Sequence, residues 1–193
     1  MTKTQNLTDD IKNIIFDLGG VIINIDHHQT AHAFEKLGVP DFINYFSHSS
    51  QNDIFDLHEK GKISDSEFRK MVMQETNLTI SEDLFDEAWN AILLDIPNDR
   101  IDLLNELRSK YRIFMLSNTN SIHMKKMDEY MNSEFGIPGY KHLFEKAYYS
   151  FEMGVRKPDR DIFEMVLQDA HLIPEETLFI DDSEPNILAA RQL

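Results

Sequence analysis

Three short apolar runs, each stopping at oxygen-bearing side chains, constrain this chain more than any other feature. Ile14-Ile15-Phe16 stops at Asp17. Ile113-Phe114-Met115-Leu116 stops at Ser117-Asn118-Thr119. Leu178-Phe179-Ile180 stops at Asp181-Asp182-Ser183. None of the runs alternates with polar residues; Ile14-Ile15-Phe16 suits a strand buried on both faces, and strands of that kind belong to parallel sheets covered by helices. Helical patterns fall between the second and third runs, which gives the chain an α/β, doubly wound character. Open sheets of this class bind ligands outside the carboxyl ends of their strands. Every one of the three stops lies at such an end, although an Asp after a strand can also serve a turn alone.

Two further segments belong with these ends. Gly19 and Gly20 follow Asp17 closely and let the backbone turn sharply beside a ligand. A second β-branched run, Val21-Ile22-Ile23, keeps the pattern strand-like as far as Asp26. Val155-Arg156-Lys157-Pro158-Asp159 places a cation just ahead of a predicted helix, Asp159 to His171. Brought together by a parallel sheet, these groups make a carboxylate cluster able to hold a hard cation, beside a Ser and a Lys able to hold an anion.

Between Asp26 and Pro97 the period becomes helical. His28 to Leu37 repeats apolar residues at Ala31, Phe34 and Leu37. Asn52 to Glu59 places Ile54, Phe55 and His58 near one face. Ser64-Asp65-Ser66-Glu67 reads as a capping box, and Ser81 caps a further helix whose stripe is Leu84, Phe85, Ala88, Trp89 and Ile92. The spacing divides the chain into an α/β core, residues 11–26 and 97–193, and a helical insertion, residues 27–96. Beyond Pro97, helices are predicted over Arg100 to Lys110 and Asn120 to Glu134, where Met124, Met127 and Met131 form a packing stripe. A short strand follows from Lys146 to Ser150, and a last helix begins at Pro185.

Composition narrows the partners. Acidic residues outnumber basic ones 34 to 19, for a formal charge of −15, which argues against nucleic acid and anionic membrane surfaces. The chain has no cysteine, so disulfides, thiolate catalysis and zinc-thiolate sites are out. The eight histidines form no HxH or HExxH pattern. The polar start, MTKTQNLTDD, lacks the apolar centre of a signal peptide, and the expected location is cytoplasmic.

In order, FDLGGV, LSNTN, RKPDRDIF and FIDDSEPN resemble the four motifs of the haloacid dehalogenase-like hydrolases. More narrowly, DLGGVIINID, HEKGKISDSEF and GVRKPDRDIF resemble the bacterial α-D-glucose-1-phosphate phosphatase branch. The resemblance implies a Rossmann-like core with a helical cap domain and a Mg²⁺-dependent phosphatase acting on a small phosphorylated metabolite. It assigns the nucleophile to Asp17, which would carry an aspartyl-phosphate. It assigns Mg²⁺ to the Asp17 carboxylate, the Gly19 carbonyl and the acidic pair, with Asp182 as direct ligand and Asp181 in support. Ser117 and the Asn118 amide would hold phosphoryl oxygens, Lys157 would neutralise the transferring charge, and Asn186 would either order the acidic loop or simply start its helix. Family members usually continue with at least one more strand, so a truncated chain is expected.

One position departs from the family pattern. The second acid, two residues after the nucleophile, is replaced by Gly19; the glucose-1-phosphate phosphatase branch shares this gap. Asp26, His27 and His28 are the nearest candidates to substitute, although the histidines also read as solvent-facing linker residues. Three readings therefore stand: a phosphatase, a haloacid dehalogenase, and a degenerate member that binds a phosphorylated ligand or a protein.

Overall fold

A computed structural model of the protein describes residues 10–43 and 53–193. Its four strands are β1 (Asn13–Phe16), β2 (Arg112–Ser117), β3 (Lys146–Tyr149) and β4 (Thr177–Ile180), all parallel in the order β3-β2-β1-β4. Phe16 is level with Met115 of β2 and Ile180 of β4, so the three carboxyl ends finish almost together. The ladder continues one step further, with the Asp17 amide donating to the Ile180 carbonyl at 2.8 Å.

Period-2 alternation explains why the runs carry no polar positions. Ile14, Phe16, Ile113 and Met115 face one layer, packed with Met124, Met127 and Met131. Ile15, Phe114 and Leu116 face the other, against Ile162, Phe163 and Val166. Both faces of β1 and β2 are buried, but the edge strand β4 is only partly covered, with Leu178 44 % exposed. The first layer holds α5 (Asn98–Leu107) and α6 (Ser121–Phe135), and the second holds α8 (Arg160–Asp169). The short α7 (Ser150–Met153) and the last helix, α9 (Glu184–Ala190), each begin within a few residues of a strand's carboxyl end.

The insertion contributes α1 (His27–Lys36), α2 (Asp53–Glu59), α3 (Asp65–Glu75) and α4 (Glu82–Asn90). These helices share a separate aromatic core, in which Phe34, Phe55, Phe68, Phe85 and Trp89 are buried. Phe34 stacks on Phe42 at 4.1 Å, and Phe55 on Trp89 at 5.5 Å. The capping box forms: Ser64 Oγ accepts from the Glu67 amide, and Glu67 accepts from the Ser64 amide at 2.8 Å. Ser81 Oγ accepts from the Leu84 amide at 3.3 Å. Ile122, from the first turn of α6, is buried inside this same cluster, and Ser121 donates to Asp65 beside it. The helical layer is thus seated on the helix that follows β2.

Several local expectations change. Strand geometry ends at Phe16 and does not run to Asp26. Ile22 and Ile23 instead donate back to the Leu18 carbonyl at 2.8 and 3.0 Å, closing a tight turn whose apolar side chains reach the core directly. The helix predicted over Arg100 to Lys110 lies over Asn98–Leu107, because Pro97, which has no N–H to leave unpaired, stands at its N-cap. The strand expected to end at Ser150 ends at Tyr149, and Ser150 opens α7. Leu84 is 39 % exposed and leaves the stripe assigned to it. Asn52 lies outside the described residues.

Candidate active site

Four strand-end segments bring their polar groups to one place. Lys157 Nζ lies 2.9 Å from Asp17 Oδ1 and 2.6 Å from Asp181 Oδ2, with the lysine side chain 1 % exposed. A buried ammonium between two carboxylates balances charge that neither could carry alone in a desolvated place. Burial pushes the Asp17 carboxyl up to about 6, while Lys157 pulls it back and Asp181 adds repulsion.

The support for this trio comes from two loops. Asn118 grips the backbone of Lys157 from both sides: its Nδ2 donates to the Lys157 carbonyl at 2.8 Å, and its Oδ1 accepts from the Lys157 amide at 2.9 Å. Ser150, fully buried, fixes the neighbouring residue, accepting from the Thr119 amide at 3.0 Å and donating to its carbonyl at 3.1 Å. On the other side, Asp181 accepts from the Ser183 amide at 2.8 Å and from Asn186 Nδ2 at 3.0 and 3.1 Å. Both oxygens of Asp181 are therefore occupied, which makes Asn186 a brace for the acidic loop as well as a helix-start residue.

Asp182 differs from its neighbour. It is exposed, and one of its carboxylate oxygens lies with one each from Asp17 and Asp181, the three atoms all within 4.8 Å of one another. A hard divalent cation with oxygen preference fits this donor set. Gly20 takes φ +71°, and a Cβ there would overlap Asp182 Oδ2, so glycine is required at the close approach. Of the two glycines that the sequence marks for a sharp turn, Gly20 bears the tighter constraint.

Ser117 is the last residue of β2 and 3 % exposed. With Gly19 and Asn118 it lines a cavity of about 130 Å³ whose other walls come largely from the helical insertion: His27, Thr30, Trp89, Ile92 and Glu59. His123 of α6 also borders it, with its ring stacked on Trp89 at 5.1 Å and Nδ1 2.8 Å from Asn90 Oδ1. Asp26, one candidate to replace the missing acid, is instead the N-cap of α1, accepting from the His28 amide at 2.9 Å. His28 is exposed; His27 reaches the cavity wall.

A family model for haloacid dehalogenase-like hydrolases matches residues 11–193. The chain belongs to the haloacid dehalogenase-like hydrolases. Among curated relatives, a D-ribitol-5-phosphate phosphatase of Bacteroides thetaiotaomicron is 36 % identical over 183 residues, covering 95 % of this chain and 88 % of that protein. A haloacid dehalogenase family enzyme of the same organism, solved as a magnesium complex, superposes with a TM-score of 0.88 at 40 % identity, covering 95 % of this chain and 89 % of that one. The wild-type form of that enzyme, in complex with magnesium and inorganic phosphate, gives a TM-score of 0.83 at 40 % identity, over 94 % and 90 % of the two chains.

Two things were hidden from the sequence. Asn118 was assigned a backbone role only, yet its side chain fixes Lys157, across 39 residues of sequence. Glu59 was read as the last residue of a helix, yet it lines the cavity. The one available signal was its place in HEKGKISDSEF, a motif that carried the resemblance without showing where its acid points.

Proposed function

We propose that the protein is a Mg²⁺-dependent phosphatase that hydrolyses a small phosphorylated sugar or polyol through an aspartyl-phosphate on Asp17. The observation that carries this reading is the bridge of Lys157 between Asp17 and Asp181, with Asp182 close by and free to bind a cation. The phosphatase and magnesium complexes among its relatives support it. A dehalogenase needs no cation and would leave the exposed Asp182 without a task.

Asp17 has the role of nucleophile: its carboxylate attacks phosphorus, the leaving alkoxide departs, and water then hydrolyses the acyl phosphate. Lys157 holds Asp17 in place and faces the transferring charge. Ser117 Oγ and the Asn118 amide are the donors for phosphoryl oxygens. Asp17, Asp182 and the Gly19 carbonyl, with Asp181 in support, would hold Mg²⁺, which would supply charge neutralisation for the phosphoryl group. Residues 27–96 act as the cap over the core of 11–26 and 97–193, walling the cavity and excluding water. The cavity has room for on the order of ten water-sized groups, since one such group needs roughly 10–15 Å³. That matches a single small metabolite. No described helix is long and apolar enough to cross a membrane.

Chelation should abolish activity and added Mg²⁺ restore it. Calorimetry should show Mg²⁺ affinity falling about 10–100-fold in Asp181→Ala, as for an outer partner of a ligand, and further in Asp182→Ala. Equal Mg²⁺ binding by wild type and Asp182→Ala would remove the direct-ligand assignment.

Within the substrate class, Gly19 favours good leaving groups. A second acid at that position would contribute about 10²–10⁴-fold by protonating the leaving oxygen. The anomeric oxygen of a sugar 1-phosphate needs such help least. Hydrolysis of glucose 1-phosphate is therefore expected to exceed that of glucose 6-phosphate in kcat/KM. A side chain at Gly19 would meet only the flexible Ile25, with 3.2 Å to its Cδ1, so Gly19→Asp should fold and should raise activity on the 6-phosphate more than on the 1-phosphate. Ribitol 5-phosphate, which the Bacteroides relative is named for, is an ester of a primary alcohol like glucose 6-phosphate. Its ranking above glucose 1-phosphate, unchanged by Gly19→Asp, would show that cavity contacts outweigh leaving-group chemistry.

A further inference from the structure

The cavity that Gly19 and Ser117 line is walled mainly by apolar groups, among them Ile25, Trp89, Ile92 and Leu93, and one acidic residue of the helical insertion also lines it. It is Glu59, the last residue of α2. Its Oε2 faces Arg156 Nη1 at 2.9 Å, and its side chain is 28 % exposed. Oε2 is buried and has no hydrogen-bond partner among the described residues, so its contact with Arg156 is an ion pair without hydrogen-bond alignment.

Glu59 is held firmly. Arg156 also lies 3.5 Å from Asp56 Oδ1, one turn earlier on α2. Lys60, the next residue, spans Asp56 at 2.9 Å and Asp159 at 3.6 Å. Gly61, at φ +60°, lets the end of α2 press against α7, because a Cβ there would overlap the Phe151 carbonyl oxygen. These contacts fasten the end of α2 to the same loop that carries Lys157. These ion pairs hold the Glu59 carboxylate at the cavity wall, and burial without a full set of donors is costly. Burial raises its proton affinity, and Arg156 opposes that.

Resting on the phosphatase reading above, we propose that Glu59 is the specificity-determining residue of the cavity, where its carboxylate accepts a hydrogen bond from a hydroxyl on the carbon skeleton of the substrate. The occupant is a hydroxylated chain or ring and not an alkyl, aryl or cationic group. Arg156 already neutralises the charge of Glu59, so a neutral donor suits its carboxylate better than a second cation. The apolar walls accept the carbon skeleton, and a few placed polar groups fix its orientation. A site built to bond a hydroxyl rejects analogues lacking one, because its own polar group is then left unpaired.

The test compares wild type, Glu59→Ala and Glu59→Gln, each with Mg²⁺, on ribitol 5-phosphate, glucose 1-phosphate, glucose 6-phosphate and hydroxyl-free butyl phosphate. Glu59→Ala should lower kcat/KM on the best hydroxylated substrate at least about 10²-fold, mainly through KM, and change butyl phosphate less than about threefold. Glu59→Gln, whose amide oxygen still accepts, should fall between. Equal losses on butyl phosphate and the hydroxylated esters would overturn the proposal in favour of proton donation or structural damage, which a thermal melt separates. Unchanged activity on every hydroxylated ester would also overturn it. If wild type hydrolyses none of the esters, the phosphatase reading fails, and calorimetry still decides the contact. Asp17→Asn should then bind a hydroxylated ester at least about tenfold tighter than butyl phosphate, and lose that margin when Glu59→Ala is added. A margin that persists overturns the proposal, as does its absence in Asp17→Asn itself.

Discussion

Asp17→Asn should abolish turnover while leaving the protein folded. The amide has nearly the shape of the carboxylate but is a far weaker nucleophile, so kcat/KM should fall by at least about 10⁴-fold. Stability should move the other way in metal-free buffer. The carboxyl of Asp17 stands at about 6 in the folded protein against an ordinary 3.8. A raised acid binds more protons folded than unfolded, so its contribution to stability is fully present below about pH 4 and is lost as pH rises through about 6. At pH 7 the buried charge therefore costs on the order of 2–3 kcal/mol, because each tenfold change in acid strength is worth about 1.4 kcal/mol. Asp17→Asn removes that cost, and Lys157 keeps its 2.6 Å partner in Asp181. Melting in EDTA should show the variant more stable than wild type at pH 7, with the gap closing by pH 4. Residual turnover near the wild-type level, after deamidation is excluded by mass spectrometry, would remove Asp17 as nucleophile. A gap constant with pH would remove the charge argument.

Lys157→Met should be damaging on both counts. The methionine fills similar space but leaves Asp17 and Asp181 facing each other without a cation, in a place where the lysine side chain is 1 % exposed. Breaking one side of a buried pair costs about 3–5 kcal/mol. For a chain of this size that lowers Tm by about 6–20 °C, at roughly 2–4 °C per kcal/mol. Saturating Mg²⁺ should recover part of the loss, because a cation bound at Asp17 and Asp182 neutralises the same carboxylates and binds only the folded state. Activity should stay low even then, since the ammonium that faced the transferring phosphoryl is gone. A Tm within about 2 °C of wild type in EDTA would show that the acids protonate or rearrange freely, and the role given to Lys157 would fall.

The sequence by itself determined the sheet and the chemistry at its ends. Ile14-Ile15-Phe16 could be read as a strand covered on both sides because side chains alternate faces and all three are apolar. That local fact needs no knowledge of the partners. The stops at Asp17, Ser117 and Asp181 were legible for the same reason, as were the Ser64 capping box and the break before α5, which depend on residues within a few positions of each other. Tertiary structure decided what depends on distance along the chain. Val21-Ile22-Ile23 looked strand-like, but no neighbouring strand is available there, and its apolar side chains bury themselves by folding back on Leu18. The Asn118 side chain could have capped or faced water; only the approach of the Lys157 loop gives it both a donor and an acceptor to meet. The need for glycine at Gly20 arises from Asp182, which is remote in sequence. Glu59 could not be distinguished from any exposed helix-end acid until α2 was fastened to the Arg156 loop. Local pattern fixes which face a residue prefers. Which charge it meets there is set by packing between segments, and no short window of sequence encodes that.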